Sequence, residues 1–207
     1  APALTVQHLR AICAELPTTL AGTRDRAVLL LGFATAARRD ELAHLHVTDI
    51  ADDPHGLVIT IRHSKTGTRT VAVPHGRRAA TDPLRAWHPG READGLTVRA
   101  WHTWRDAAGL SEGRALRGID RHGRIAASIT AGAIGTLVST AADRAGLLVH
   151  VTAHSLRAGL ATEARRAGHD PLTIARQGGW ADGSTVLFGY MRIIDQWDDN
   201  ALDNIGL

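Results

Sequence analysis

Apolar residues first recur at helical spacing, with Leu9, Ile12 and Cys13 on one face, Thr5 able to cap the start and Pro17 able to stop the run. This predicts a helix from Thr5 to about Leu16. A second helix begins near Asp25, and its stretch from Ala27 to Phe33 is so continuously apolar that it belongs in the core. Arg38 to His44 alternates polar and apolar residues as a third helix would. From Gly56 the period changes to two. LVITIRHSKTGTRTVAVP contains two β-branched runs around Ser64-Lys65-Thr66-Gly67, which predicts a hairpin with Lys65 at its turn.

Helical patterns resume at Asp82 to Trp87 and Leu96 to Ala108, and a looser stretch rich in Gly and Arg spans Ser111 to Arg124. Further helices are predicted over Ala131 to Ala145, over Ser155 to Ala167, from Pro171 to a Gly178-Gly179 break, and over Ser184 to Arg192. An acidic tail, DQWDDNALDNIGL, carries Leu202 and Ile205 as an amphipathic turn able to dock on this chain or a neighbour. The expected fold is mainly α with a small antiparallel β-sheet or hairpin (α+β), forming one domain over residues 1–207.

Composition narrows the function classes. The 207 residues are 44% hydrophobic, enough for a sizeable core. Cys13 is the only cysteine, so no intrachain disulfide can form, in keeping with a cytoplasmic protein. No apolar run approaches the roughly 20 residues of a membrane span. The formal net charge is only +3, yet the pI is about 9.9, which permits a polyanionic partner without demanding one. Of 24 Lys plus Arg, Lys65 alone is lysine, and Tyr190 is the only tyrosine. In a chain so biased toward arginine, a surviving lysine marks a position that needs an ammonium.

Arg38 opens the string Arg38-Arg39-Asp40-Glu41-Leu42, and Lys65, His154-Ser155-Leu156-Arg157, Gly178-Gly179-Trp180 and Tyr190 follow in that order. This succession resembles the tyrosine recombinase (phage integrase) family. That family has an arginine in a T-G-L-R-x-x-E-L box, a lysine in a hairpin turn, H-x-x-R, a G-H or G-W pair and a C-terminal tyrosine. Each motif alone is weak, but six role-bearing positions in the right order form a strong joint signal. The resemblance runs from the LT-x-x-x-L start to the tail, and Gly-Gly-Trp with Met191-Arg192 looks closest to the Cre-like branch. There are two departures. The interval from Trp180 to Tyr190 is one residue longer than is common, with Asp182-Gly183 the natural place for the extra residue. Ala36 stands where the family often has glycine, which is a mild change unless the backbone needs a positive φ there.

The residue types fit metal-free cleavage of a phosphodiester. A tyrosine hydroxyl becomes an effective nucleophile once a neighbour takes its proton, and the phosphotyrosine conserves the bond energy for rejoining. Guanidinium forks suit the non-bridging oxygens, a role for Arg38 and Arg157. Spaced i to i+3, His154 and Arg157 share a helix face, which makes His154 the candidate base. Lys65 can protonate the leaving 5′ oxygen as an arginine in practice cannot. Trp180 can donate its indole N–H but cannot shuttle protons. Glu41 is expected to support Arg38. Arg62, Arg69, Arg121 and Arg124, with Arg114 and Arg117, are candidates for phosphate contacts.

Plainer roles compete for each residue. Arg38 and Glu41 could be an ordinary surface ion pair, Tyr190 a core aromatic beside Phe188, His154 a satisfied histidine and Trp180 a packing residue. Among 12 histidines, His44, His46 and His63 invite a metal reading, but H-E-x-x-H and paired cysteines are absent, so no metal and no cofactor are expected. Competing functions are a type IB topoisomerase, which relaxes supercoils as a monomer, and a non-cleaving DNA-binding regulator. The resemblance further implies double-stranded DNA sites as partner, a homotetramer in the synaptic complex with residues 198–207 exchanged between protomers, and a separate N-terminal DNA-binding domain. That domain is absent from this chain, which, starting at Ala1, is expected to be a fragment.

Overall fold

The computed structural model describes residues 2–65, 67–75 and 95–198, with side chains described as far as residue 191. Among the described residues, eight α-helices and one small sheet follow in the order α1 (Val6–Ala14), α2 (Leu20–Thr35), α3 (Arg39–His44), β1 (Ile50–Asp53), β2 (Gly56–Ile61), β3 (Arg69–Pro74), α4 (Leu96–Ala107), α5 (Ala131–Arg144), α6 (Ala153–Arg166), α7 (Pro171–Gly178) and α8 (Thr185–Asp198). The predicted helix at Asp82 to Trp87 lies outside the described residues, as does most of the acidic tail.

Helix α2 is the hub. Thr19, whose side chain accepts from the Gly22 N–H, starts it several residues earlier than the apolar pattern suggested. Ala27, Val28, Leu29 and Leu31 are all fully buried, because α4, α5 and α6 pack around the helix. Three antiparallel strands in the order β1-β2-β3 form the sheet, with β2 and β3 in register from Gly56 opposite Pro74 to Ile61 opposite Arg69. Leu57, Ile59 and Ile61 of β2 and Val71 and Val73 of β3 supply its buried face. The predicted hairpin is therefore present, and β1 extends it. Ser111 to Arg124 is irregular, with short bridges from His46 to Arg114 and from Ile119 to Ile125.

A second, smaller core lies between α6, α7 and α8, where Ala161, Ile174, Ala175, Leu187 and Met191 are buried and Trp180 and Tyr190 pack at the rim. The Asp170 carboxylate caps α7 by accepting from the Leu172 and Thr173 N–H groups, and Pro171 occupies the first turn. Among the described residues, no helix is long and apolar enough to cross a membrane.

Candidate active site

The C-terminal ends of α2 and α7 meet α6, and α3 follows α2 beside the hairpin. Arg38 caps α3, and Glu41, in the first turn, folds back on it. Glu41 Oε2 accepts from the Arg38 backbone N–H at 2.9 Å and from Arg69 Nη2 at 3.0 Å. Its Oε1 accepts from Arg38 Nη1 at 2.7 Å and from Ser64 Oγ at 2.8 Å. One buried carboxylate thus ties together α3, β3 and the hairpin turn. Burial by itself would raise the Glu41 pKa. The hydrogen bond from Arg69, that from the Arg38 backbone and the Arg69 charge outweigh it and bring the pKa from the ordinary 4.5 to about 2.

Arg157, on α6, is only 2% exposed. Its Nη1 donates to the Ala36 carbonyl at 2.6 Å and to the Gly178 carbonyl at 2.5 Å, so the C-termini of α2 and α7 both grip it. The negative ends of two helix dipoles meet the cation there. Burial, then the nearby Arg38 and Arg69, pull its pKa from 12.5 to about 10, which leaves it charged at neutral pH. Nη2, also buried, has no hydrogen-bond partner among the described residues. The guanidinium carbon lies 3.8 Å from the centroid of the Trp180 ring, a cation–π stack that covers it.

Ala36 adopts φ 47° and ψ 31°, the left-handed conformation, at the end of α2. The departure from glycine is therefore not mild. An L-residue there costs about 1–2 kcal/mol, and the turn it makes delivers the carbonyl that Arg157 needs. The Gly178-Gly179 pair has its own geometric reasons. A Cβ on Gly178 would lie 1.9 Å from the Trp180 ring, and Gly179 has φ 64° with the Arg69 side chain 2.6 Å from where its Cβ would be. Gly178 leaves room for the Trp180 ring stacked on Arg157, and Gly179 for the Arg69 side chain.

His154 Nε2 is 2.5 Å from the Tyr190 hydroxyl. The ring centroids are 6.0 Å apart, and Trp180 meets Tyr190 edge-on at 6.2 Å. The Thr162 hydroxyl donates to the Tyr190 carbonyl at 3.1 Å, fixing α8 to α6. Desolvation, reinforced by the positive charge of Arg157, lowers the His154 pKa below its usual 6.5. Desolvation raises that of Tyr190, against the pull of Arg157 and Arg38. Both shifts favour a neutral imidazole accepting from a neutral phenol at pH 7. Between Trp180 and Tyr190 the chain makes a turn closed by the Ser184 N–H donating to the Ala181 carbonyl at 3.1 Å.

Arg38, Glu41, His154, Arg157, Trp180 and Tyr190 therefore converge. Lys65 is exposed on the hairpin turn, next to the Ser64 that binds Glu41. The expected phosphate-contacting arginines divide. Arg62 pairs with Asp49 at 2.5 Å while remaining 66% exposed. Arg121 and Arg124 are exposed beside Asp120, whose carboxylate accepts from the Arg124 backbone N–H at 2.9 Å. Arg114 Nη1 donates to the His44 carbonyl at 2.6 Å and Arg117 Nε to the Arg114 carbonyl at 2.9 Å. Arg69 is not on the surface. Its side chain is 10% exposed and held by Glu41. The signal was in the strand period: Arg69 shares parity with buried Val71 and Val73 and so points inward.

Comparison with known proteins agrees with this architecture. The model of the phage integrase family matches residues 2–196. The integrase/recombinase xerD homolog of Selenomonas ruminantium is 36% identical over 166 residues, covering 76% of this chain and 44% of the relative. Among solved structures, the XerA recombinase aligns over 95% of this chain and 65% of its own, with a TM-score of 0.68 and 17% identity. The lambda integrase catalytic core aligns over 86% of this chain and 95% of its own, with a TM-score of 0.59 and 16% identity. The fold is thus that of tyrosine recombinase catalytic domains. The chain belongs to the phage integrase family, and it spans less than half the length of the curated relative it matches.

Proposed function

We propose that this chain is the catalytic domain of a site-specific DNA recombinase that breaks and rejoins double-stranded DNA through a covalent 3′-phosphotyrosine at Tyr190. The observation that carries the reading is the 2.5 Å approach of His154 Nε2 to the Tyr190 hydroxyl beside two arginines. His154 takes the phenolic proton as the Tyr190 oxygen attacks phosphorus, and the bond from phosphorus to the 5′ oxygen breaks. Lys65 protonates the departing 5′ oxygen. Arg38 and Arg157 balance charge on the non-bridging oxygens, and entry of the phosphate displaces the Trp180 ring from Arg157 so that the indole N–H becomes a third donor. Glu41 and Arg69 position Arg38. Arg62, Arg121 and Arg124 contact the DNA backbone outside the reacting phosphate. Reversal of the same steps rejoins the strand, and no ATP or cofactor enters the balance.

Trp180 in place of a histidine supports assignment to the Cre-like branch. The solved relatives include an XerH recombinase bound to its difH substrate and a lambda integrase tetramer bound to a Holliday junction. By analogy, this domain works in a homotetramer on two DNA sites, together with an N-terminal DNA-binding domain, in the cytoplasm. A plasmid carrying two direct copies of a sequence selected for binding from random DNA tests the reading. Excision of the intervening segment is expected. Relaxation without excision would identify a topoisomerase, and binding without either a regulator.

A further inference from the structure

We propose that Asp40, His44 and His63 form a binding site for a divalent transition cation of the zinc type, on the outer side of the seam between α3 and the hairpin. Asp40 and His44 lie one helical turn apart on α3, and His63 reaches them from the residues following β2. The two imidazoles stack with centroids 4.0 Å apart and planes 27° from parallel. His63 Nε2 lies 2.9 Å from Asp40 Oδ2. One ligand atom from each residue falls within 4.8 Å of the other two.

Three features make the cluster more than an exposed ion pair. First, His44 Nδ1 is 2.9 Å from the Asp40 backbone carbonyl. A carbonyl only accepts, so Nδ1 carries a proton, and in the uncharged ring the lone pair left for a metal is on Nε2. A backbone carbonyl holding the second nitrogen is how metal-binding imidazoles are commonly oriented. Second, the donor set of two imidazoles and one carboxylate suits zinc, copper or nickel rather than magnesium or calcium, which prefer oxygen cages. Third, the side chains are 37% (His44), 55% (Asp40) and 59% (His63) exposed. They are free to close on an ion at about 2.0–2.2 Å, leaving a fourth position for water. His44 and His63 already invite a metal reading in the sequence, but it is the fold that joins them to Asp40 rather than to His46, because His63 follows β2 and its partners lie on α3.

Bound there, the ion fastens the outside of the seam whose inside Glu41 and Ser64 fasten, and it restrains the turn that carries Lys65 two residues beyond His63. The binding claim is independent of the reaction proposed above. It is tested by calorimetric titration of the metal-free protein with Zn²⁺, with His44→Ala and His63→Ala in parallel and Mg²⁺ as a control. The wild type is expected to bind one more equivalent of Zn²⁺ than either variant, or to bind it at least tenfold more tightly. Zn²⁺ should raise the Tm of the wild type alone, Mg²⁺ should do neither, and the three metal-free melting curves should coincide. His63→Cys, which keeps a ligand, should retain the site. Equal stoichiometry and affinity in wild type and both alanine variants would overturn the proposal, as would no Zn²⁺ binding to the wild type.

Discussion

Replacing Glu41 with glutamine probes the network under the site. The carboxylate is 2% exposed and accepts four hydrogen bonds, from the Arg38 backbone, the Arg38 and Arg69 guanidiniums and the Ser64 hydroxyl. Glutamine keeps one oxygen, but its amide NH₂ meets guanidinium or backbone N–H donors, with only the Ser64 hydroxyl able to turn and accept, and two guanidiniums lose their counter-charge. The fall in pKa from 4.5 to about 2 corresponds to roughly 3 kcal/mol at about 1.36 kcal/mol per pH unit. A cost of about 3–5 kcal/mol for removing one partner of a buried ion pair agrees with it.

The sign of the pH dependence follows. Because the folded-state pKa is depressed, Glu41 stabilises fully above the unfolded value near 4.5 and loses that contribution as pH falls toward about 2. Urea unfolding at pH 7 should therefore show Glu41→Gln destabilised by about 3 kcal/mol, and at pH 3.5 the gap should shrink to about 2 kcal/mol. A difference below about 1 kcal/mol at pH 7, or one that does not narrow in acid, would refute the account of Glu41 as the buried anion that organises the site.

Other outcomes follow from the same geometry. Desolvation and the Arg157 charge hold the His154 pKa below the ordinary imidazole value, so single-turnover cleavage of a substrate with an activated leaving group should be level from pH 8 to pH 7 and decline only in more acid solution, later than an unperturbed imidazole would. A decline that begins above pH 7 would argue against His154 as the base. Gly178→Ala places a methyl against the Trp180 ring and should cost about 1–3 kcal/mol by overpacking, read by thermal unfolding. Unchanged stability would mean that the indole has room to move. Cys13 is 2% exposed with its thiol pushed up to about 11 by burial, so a thiol reagent at pH 8 should label it only on unfolding. Fast labelling of the native protein would contradict the packing of α1.

Much of the fold was legible because its elements announce themselves locally. The all-round apolar run of α2, the alternation of β2 and β3, and the Asp170-Pro171 start of α7 need no tertiary information. β1 was not legible: Ile50 to Asp53 has one buried residue followed by two exposed ones, and it becomes a strand only by pairing with β2. At the site, the order of Arg38, His154, Arg157, Trp180 and Tyr190 was readable as a motif, whereas the carbonyls of Ala36 and Gly178 that hold Arg157 carry no side-chain signature. The left-handed turn at Ala36 was signalled only by the glycine that the family often has at that position, because alanine itself rarely marks such a turn. Covering of Arg157 by Trp180 depends on how α7 ends and cannot be inferred from spacing.

The central claim is that Tyr190 forms the covalent bond to DNA. A randomised pool of nicked suicide duplexes, incubated with the protein and recovered as adducts resistant to denaturant, tests it most directly when the trapped peptide is mapped by mass spectrometry. The account predicts a nucleotide attached through Tyr190, no adduct with Tyr190→Phe, and a weak adduct with Lys65→Ala unless the leaving group is activated. An adduct that persists in Tyr190→Phe, or no adduct from wild-type protein that has demonstrably bound the DNA, would contradict it.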